Sequence, residues 1–384
     1  MQPVRIIIGG DVCPNRRNVT LFCQGDAPGL FNDLLGEFEA ADLSVVNLEC
    51  PLVDKLSPIA KTGPVLEGPT QAVLGLVRSR IRCLGLANNH ILDHGAAGLE
   101  STLRACADAG LQTFGAGRTL EAAGRMLVVK AGALRIGLLG ASEQEWSIAT
   151  ADTPGANPID LIECARILSR QRDVVDFVIV LLHDGAEHYP LPSPRLQKVC
   201  RFLIEQGAGL VVCQHSHCAG AYEAYGSGHI IYGQGNLLSD SPDRDGSWHE
   251  GFLIRLTLAP GSTAGWQPVP YLQSDGRPGA RRMSAERERA FLAGLAERSE
   301  AIRDERYVAR SWEQFCRNQR HGVMSFVLGH GRLLRRLNRI NGGVVRHVHG
   351  KQRLRELKNC VGSDTNREVV LQVLEQYLGE DLPA

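Results

Sequence analysis

Side chains that commonly bind metal ions cluster at five points of the sequence, each directly after a short apolar segment. The clusters are rich in Asp, Glu, Asn and His and occupy Gly9–Cys13, Asn47–Pro51, Ala87–Gly95, His183–Glu187 and Gln214–His217. Carboxylate, amide and imidazole groups together form a hard-to-borderline donor set, which suits Mn²⁺, Fe or Zn²⁺ better than Mg²⁺. A pair of such ions would polarise a phosphoryl oxygen and activate water near neutral pH.

One cluster is more informative than the others because it holds two histidines in alternation, His215 and His217. Alternate residues of an extended segment project to the same side, so both imidazoles are predicted to face one site. Any single cluster is weak evidence, since an Asp after a strand is often only a helix N-cap. The hypothesis of a metal site depends on the five clusters taken together.

The segments before these clusters are predicted to be strands, and they alternate with helical segments up to about residue 275. The five predicted strands are Val4–Gly9, Leu43–Leu48, Ile81–Ala87, Phe177–Leu182 and Leu210–Cys213. A period of 3.6 residues predicts a helix over Leu30–Ala40 between the first two. This alternation, followed by a more antiparallel run, predicts an α/β fold of two layered sheets flanked by helices. Ligands bind at the carboxyl ends of strands in such sheets, so the five clusters are expected to converge.

Composition excludes several classes of protein. The chain has 384 residues, of which 43% are hydrophobic and 22% charged, so it can form an ordinary core and is not wholly disordered. No apolar run approaches the ~18 residues that a membrane span needs. The first residues resemble a strand rather than a cleavable signal. Eleven cysteines without a CxxC pair favour a reducing compartment, so a cytoplasmic location is expected.

The net charge of zero conceals an asymmetry that suggests two parts. Residues 1–276 carry 21 Lys and Arg against 29 Asp and Glu, whereas residues 277–384 carry 21 against 13. We therefore predict a catalytic domain over 1–276 and a basic, mainly α-helical region over 277–384. Residues 317–355 contain ten cations and no carboxylate. That stretch is interpreted as a solvated appendage, as a contact to the inner face of an anionic membrane, or as a binder of an anionic polymer. Nucleic acid is the least favoured partner, because aromatic side chains for base stacking are sparse.

The ordered motifs resemble those of the CapA family of poly-γ-glutamate capsule biosynthesis, which is similar to the calcineurin-like metallophosphoesterases. The matching text is GDVCPNRRN, NLECPL, LANNHILDHG, LLHDGAEHY and the run from LIEQGAG to YGQGNLL, within residues 4–258. The resemblance implies a metallophosphoesterase-like two-sheet sandwich. It also implies six metal ligands, which are Asp11, Glu49, Asn89, His183, His215 and His217. It makes His90 the general acid or transition-state stabiliser, with Asp93 and Arg16 as further catalytic residues. Asn88, Glu187 and Asn236 would contact the substrate or support the ligands.

The resemblance also sets expectations about cofactor and function. Two divalent ions (Mn, Fe or Zn) are expected, but Cys13 stands where a standard metallophosphoesterase has a histidine. One metal position is therefore weaker, absent, or completed by Cys13. The expected function is a metal-dependent hydrolase for cell-surface polymer synthesis, acting on a phosphoester or an anionic polymer-related substrate. Two alternatives stay open, a non-catalytic accessory binding protein and a metal-dependent amide hydrolase on a γ-glutamyl polymer.

Overall fold

A computed structural model describes residues 3–61, 63–241, 244, 246–259, 264–328 and 350–378. Two β-sheets dominate it. The larger sheet contains, in spatial order, β16 (Ala280–Arg282), β15 (Gly265–Gln273), β14 (Glu250–Leu258), β1 (Val4–Cys13), β2 (Leu43–Leu48), β3 (Cys83–Gly85) and β4 (Gln112–Phe114), with β13 (Asn236–Ser239) pairing beside the end of β1. Strands β13, β1, β2, β3 and β4 are parallel, whereas β14 to β16 are antiparallel.

The smaller sheet has six strands. Their order is β11 (Tyr222–Tyr225), β12 (Gly228–Ile231), β10 (Leu210–Gln214), β9 (Phe177–His183), β7 (Leu134–Ser142) and β6 (Leu127–Ala131). The four central strands are parallel and the two edge strands are antiparallel. A short ribbon joins β5 (Ala116–Gly117) to β8 (Gly155–Ala156).

Helices cover the outer face of each sheet. In chain order they are α1 (Asn18–Gln24), α2 (Ala27–Phe31), α3 (Leu35–Glu39), α4 (Val73–Arg78), α5 (Gly95–Asp108), α6 (Leu120–Ala123), α7 (Leu161–Gln171), α8 (Pro194–Glu205), α9 (Ala285–Ala301), α10 (Glu305–Leu328), α11 (Lys351–Gly362) and α12 (Asp364–Leu378). Short 3-10 turns cover Asn32–Leu34, Thr70–Ala72 and Gly246–His249.

Alternation along β1 shows how the layers are built. Ile6 and Ile8 pack between the two sheets, against residues such as Leu138 and Ile179. Ile7 faces the other way, into the core beneath α1 to α5. A third core lies between the smaller sheet and helices α7 and α8. The predicted two-sheet sandwich flanked by helices is therefore confirmed.

The predicted helix over Leu30–Ala40 is wrong as a single element. The chain forms α2, a 3-10 turn and α3 there instead. Asn32 ends α2 with a positive φ of 45°, which is incompatible with a right-handed helix and interrupts it. Its side chain donates to the backbone oxygens of Gly29 and Ala280, which fixes the break against β16.

The described residues after β16 are mainly helical, as predicted. Helices α10 and α12 pack together with the loop after β9, and a cluster of five side chains joins them: Tyr189, Trp312, Cys316, Val369 and Val373. The predicted domain boundary at residue 276 falls between β15 and β16 and stays a prediction. Most of the basic stretch 317–355 lies outside the described residues, so its partner stays a prediction too. Among the described residues, no helix combines the length and apolar character that crossing a membrane requires.

Candidate metal centre

Asp11 lies near the end of β1, at an irregularity in its pairing with β2. Gly10 precedes it where the backbone passes so close to another strand that a Cβ would lie 2.0 Å from the Gly235 carbonyl oxygen. Only glycine fits such an approach. The Asp11 carboxylate accepts from Asn47 Nδ2 at 2.7 Å and from the backbone N–H of His215 at 3.3 Å. These bonds connect the ends of strands from both sheets.

Glu49 directly follows β2 and is 1% exposed. Asn47, at the end of β2, is held in turn by Asn88, whose Nδ2 donates to Asn47 Oδ1 at 3.1 Å and to the backbone oxygen of Leu48 at 2.8 Å. Glu49 Oε1 is buried and accepts no hydrogen bond from the described residues. A buried carboxylate oxygen without a donor is costly, so the structure leaves a position for a cation beside it.

The turn after β3 presents Asn89 and His90. Asn89 Oδ1 lies 3.1 Å from His183 Nε2. His90 Nδ1 lies 2.6 Å from Asp93 Oδ2. The other ring nitrogen, Nε2, is therefore the one that can interact with a molecule in the cavity that His90 lines. Asp93 also contacts Lys61 Nζ at 2.6 Å and accepts from the backbone N–H of Leu66 at 2.7 Å. The carboxylate therefore fixes the His90 ring from a fully buried position.

Three imidazoles come from the smaller sheet. His183 ends β9, and His215 and His217 follow β10. The extended geometry predicted for His215 and His217 is wrong, because both have left-handed backbones, with φ of 96° and 55°. Their side chains nevertheless converge, because the turn brings both imidazoles to the same side of the chain. Two strained residues in a row of three are typical of functional loops.

These residues form two groups that share Glu49. In one group, Glu49 Oε1 and His183 Nε2 are 3.6 Å apart, and His183 Nε2 lies 3.1 Å from His215 Nδ1. In the other, His217 lies 3.9 Å from Glu49 Oε1 and 4.0 Å from Asp11 Oδ2. Cys13 belongs to neither group among the residues that the structure describes.

Burial governs the protonation of these groups when no cation is present. It raises the pKa of Asp11 to about 6 and that of Glu49 well above its ordinary value, with the Asp11 charge adding to the effect on Glu49. It lowers the pKa of His217 to about 4 and, with help from the His215 charge, lowers the pKa of His183 well below its usual range. Neutral imidazoles are the form that binds metals.

His215 differs from the other two imidazoles. Burial opposes its charge, but a hydrogen bond to Glu143 and the charge of that carboxylate raise the pKa of His215 well above its usual value. His215 Nε2 lies 3.0 Å from Glu143 Oε1. A carboxylate on the far nitrogen of an imidazole is the usual support for a metal-binding histidine.

The donor set fits a divalent transition metal. Two carboxylates, an amide oxygen and three imidazole nitrogens face one another at buried or nearly buried positions, and Glu49 Oε1 lacks a donor among the described residues. This combination of oxygen and nitrogen donors suits Mn²⁺, Fe or Zn²⁺. All six residues that the resemblance implies as ligands lie in this cluster, although their role stays a prediction.

The remaining predicted residues divide between the cavity and its support. A cavity of about 550 Å³ opens beside the cluster, and Arg16 and Glu187 line it. Asn88 and Asn236 are fully buried and hold other site residues. The Asn88 Oδ1 accepts from the His90 N–H at 3.1 Å, and Asn236 Oδ1 lies 2.9 Å from His217 Nδ1.

Sequence reasoning missed several residues of the site. Glu143 directly follows β7 and is 1% exposed, so the same rule that found Glu49 would have found it. Glu145, two residues on, accepts from Asn89 Nδ2 at 2.7 Å. Lys61 and Trp248 carried no comparable signal. The Lys61 side chain is 2% exposed, and the Trp248 ring lies 4.7 Å from that of His217.

Fold and site together define an α/β sandwich with a buried carboxylate and imidazole cluster at the carboxyl ends of its parallel strands. Residues 5–241 match the family described as bacterial capsule synthesis protein PGA_cap. The match covers more than half of the chain, so the chain belongs to this family, and the resemblance found in the sequence is confirmed.

The names of two similar proteins are consistent with this family. The chain is 27% identical over 222 residues to the capsule biosynthesis protein CapA of Bacillus anthracis, covering 56% of this chain and 53% of that protein. It is 32% identical over 237 residues to a probable polyglutamine synthesis accessory protein of Mycobacterium tuberculosis, covering 58% and 61%. The chain thus spans between half and two thirds of the length of these relatives.

Among solved structures, one similar chain is a putative 5'-nucleotidase from Staphylococcus aureus, crystallised in complex with alpha-ketoglutarate. The alignment covers 77% of this chain and 58% of that one, at 11% identity and a TM-score of 0.44.

Proposed function

We propose that this protein is a metal-dependent, phosphoesterase-like hydrolase that serves the synthesis of a cell-surface polymer. The observation that carries the proposal is Glu49 Oε1, a buried carboxylate oxygen that faces the imidazoles of His183 and His217 and has no hydrogen-bond donor within the part of the chain that the structure describes. Family membership and the capsule biosynthesis named for the relatives supply the biological setting.

Six residues would hold the metal: Asp11, Glu49, Asn89, His183, His215 and His217. Two ions, one for each group around Glu49, are the proposed complement. When bound, they would supply Lewis-acid activation of the scissile group and of water. Asn47, Asn88 and Asn236 keep Asp11, His90 and His217 in place through the hydrogen bonds described above.

His90 would move the proton during the reaction. Its Nδ1 is engaged by Asp93, which leaves Nε2 to exchange a proton with the leaving oxygen or to stabilise charge on it. Lys61 and the backbone N–H of Leu66 hold Asp93 in place, so the His90 ring cannot rotate without losing its contact to this fixed carboxylate. Asp93 is thus assigned a positioning role in this proposal.

Two arginines of the cavity support an anionic substrate. Arg16 and Arg244 both line it, and the Arg244 guanidinium lies over the Trp248 ring at 5.0 Å. Arginine side chains suit the planar or tetrahedral oxygens of carboxylate and phosphate groups. A phosphoester on a polymer precursor, or an anionic polymer itself, meets this requirement.

The proposal is tested with the full chain, purified without chelator and without an affinity nickel column. We expect bound transition metal by mass spectrometry and Mn²⁺-dependent hydrolysis of bis(p-nitrophenyl) phosphate. A His215→Ala, His217→Ala variant should lose both. His229→Ala, a half-buried histidine on β12 outside the site, serves as the matched control. Full activity in the double variant would refute the proposal.

A second candidate is an accessory binding protein that keeps the metal site but performs no turnover. The name of the Mycobacterium tuberculosis relative, an accessory protein, favours it. Stoichiometric metal binding without hydrolysis of phosphodiesters, phosphomonoesters or γ-glutamyl amides would select this candidate over the hydrolase.

A further inference from the structure

The last two helices reach the site from outside the part of the chain that matches the family. We propose that this C-terminal helix pair, α11 and α12, positions two of the candidate metal ligands through two glutamates, one buried and one half-buried. Glu143 and Glu145 follow β7, and each contacts the helix pair with one carboxylate oxygen and a candidate ligand with the other. The inference deepens the proposed function and rests on it, because it takes His215 and Asn89 to be metal ligands.

The first chain of hydrogen bonds ends at His215. Ser363 Oγ donates to Glu143 Oε2 at 2.8 Å, and the Thr365 N–H donates to the same oxygen at 3.2 Å. Glu143 Oε1 then lies 3.0 Å from His215 Nε2. With Nε2–H donated to Glu143, His215 Nδ1 is the nitrogen that faces His183 and the cluster. The helix pair thereby selects which ring nitrogen points into the site.

The second chain of hydrogen bonds ends at Asn89. Glu145 Oε1 accepts from Asn359 Nδ2 at 3.2 Å and from Asn366 Nδ2 at 3.4 Å. Glu145 Oε2 accepts from Asn89 Nδ2 at 2.7 Å, which turns Asn89 Oδ1 towards His183 Nε2. An amide can ligate a hard cation only through its oxygen, so this orientation is the useful one.

The helix pair is held firmly enough to act in this way. Arg195, on α8, contacts Asp184 at 2.8 Å and Glu368 at 3.1 Å. Thr365 Oγ1 donates to Asp184 Oδ1 at 2.8 Å, next to His183 in the chain. The apolar cluster around Tyr189 and Trp312 adds packing between α10, α12 and the loop after β9. The side chains of Ser363, Asn359 and Asn366 thus contact the two glutamates from a helix pair that is itself held in place.

The experiment uses the full chain and measures Mn²⁺ affinity from the electron paramagnetic resonance of free Mn²⁺. Ser363→Ala should weaken Mn²⁺ binding about 10-fold, as expected for a residue that orients a metal-binding side chain. The double change Asn359→Ala, Asn366→Ala should weaken it by a similar factor. Ser363→Thr keeps the hydroxyl and should restore affinity. It also keeps the hydroxyl that accepts from the Asn366 N–H, so helix capping is not lost.

The matched control is Ser299→Ala on α9. Ser299 Oγ is similarly buried, donates to the Leu295 backbone oxygen at 2.7 Å and accepts from the Tyr222 N–H at 2.9 Å, but it is remote from the glutamates. A comparable loss of thermal stability without a change in Mn²⁺ affinity is expected there. Equal Mn²⁺ affinity in the wild type and in Ser363→Ala would overturn the inference.

A second measurement keeps the inference separate from the proposed function. In the metal-free chain, the His215 Nε2–H bonded to Glu143 should give a downfield proton resonance, assigned by its loss in His215→Ala. Ser363→Ala should shift or broaden it, and Ser299→Ala should leave it unchanged. A wild type that binds no Mn²⁺ would refute the metal proposal, while this resonance would still decide whether the helix pair positions His215.

Discussion

The two walls of the cavity are built differently. The strand-end wall, made by the residues after β1, β2, β3, β9 and β10, carries buried carboxylates and imidazoles within 4 Å of one another. The helical wall, made by α10, α11 and α12, presents neutral amide and hydroxyl groups such as Asn359, Asn366 and Thr365. In the function proposed above, the strand-end wall performs the chemistry and the helical wall supplies hydrogen-bond donors that hold it.

This difference follows from what each wall is made of. Parallel strands end at the same edge of a sheet. The loops that follow them therefore bring different side chains together, although these residues are far apart in the sequence. A helix pair offers a regular surface, which suits the holding of groups that come from elsewhere. If the comparison is right, changes to the strand-end wall should abolish chemistry, and changes to the helical wall should only weaken it.

The largest effect is expected at Glu49. Glu49→Gln keeps the shape of the side chain but removes the charge that both ligand groups share. Metal affinity should fall by more than the ~100-fold upper range for supporting residues, and hydrolysis should disappear with it. Mass spectrometry of bound metal measures the effect, and Glu39→Gln on the exposed end of α3 is the control. Retention of two ions per chain would show that the walls do not divide as described.

A smaller effect is expected at Asp93, which supports His90 without facing the cavity. Asp93→Asn should lower kcat about 100-fold, because the amide no longer holds the His90 ring in the required tautomer. Metal content and KM should stay unchanged. Asp176→Asn, at the opposite end of β9 from His183, is the matched control. Loss of metal in Asp93→Asn would place this carboxylate in the metal site instead.

Sequence and structure agree most closely on the strand-end wall. Strand ends could be predicted because apolar β-prone runs such as Leu43–Leu48 stop abruptly at polar residues, and β2 has those bounds in the structure. Glu143 directly follows β7 in the same way that Glu49 follows β2, so the same pattern of an apolar run ending at a polar residue also applies to it.

The helical wall could not be predicted from the sequence. Asn359 and Asn366 lie on the two helices and Ser363 lies between them, and no spacing in the sequence distinguishes these three residues. Their role depends on where the helix pair docks, which is decided by long-range contacts such as Arg195 to Glu368. Lys61 was missed for the same reason, since its partner Asp93 is 32 residues away in the chain.

The helical wall offers a milder test through charge. Gln319, an exposed residue of α10, lines the cavity. Gln319→Glu should raise KM for an anionic phosphodiester about 3-fold and Gln319→Lys should lower it, with kcat unchanged and both effects reduced by salt. Gln314→Glu, on the same helix but outside the cavity lining, is the control. A change in kcat, or a shift of KM in the same direction for both charges, would mean that this wall does more than bind.

The smallest effect on chemistry is expected at Glu37, which lies away from both walls. Its carboxylate accepts from Arg255 Nη2 and Arg282 Nη2, both at 2.5 Å, and also pairs with Arg5, so it joins α3 to three strands of the larger sheet. Burial of the Glu37 carboxylate opposes its charge, but the guanidinium groups outweigh this effect and hold the pKa of Glu37 below its ordinary value of 4.5. Among them, Arg255 lowers the pKa most. A lowered folded-state pKa means that its stabilising effect is present above pH 4.5 and is lost as the pH falls through the folded-state value.

Glu37→Gln should therefore lower the free energy of unfolding by about 1–2 kcal/mol at neutral pH. This is less than for a fully buried pair, because the arginines are about one third exposed and solvent screens them. Below pH 4.5 the difference in the free energy of unfolding between variant and wild type should shrink, since the wild-type carboxyl becomes protonated and is then neutral, like the amide of the variant. Urea unfolding at several pH values measures this, with hydrolysis at neutral pH unchanged. A Glu37→Gln variant that is folded but inactive would show that the contacts of Glu37 affect the strand-end wall through the larger sheet. The proposed separation between supporting residues and residues that perform the chemistry would then be wrong.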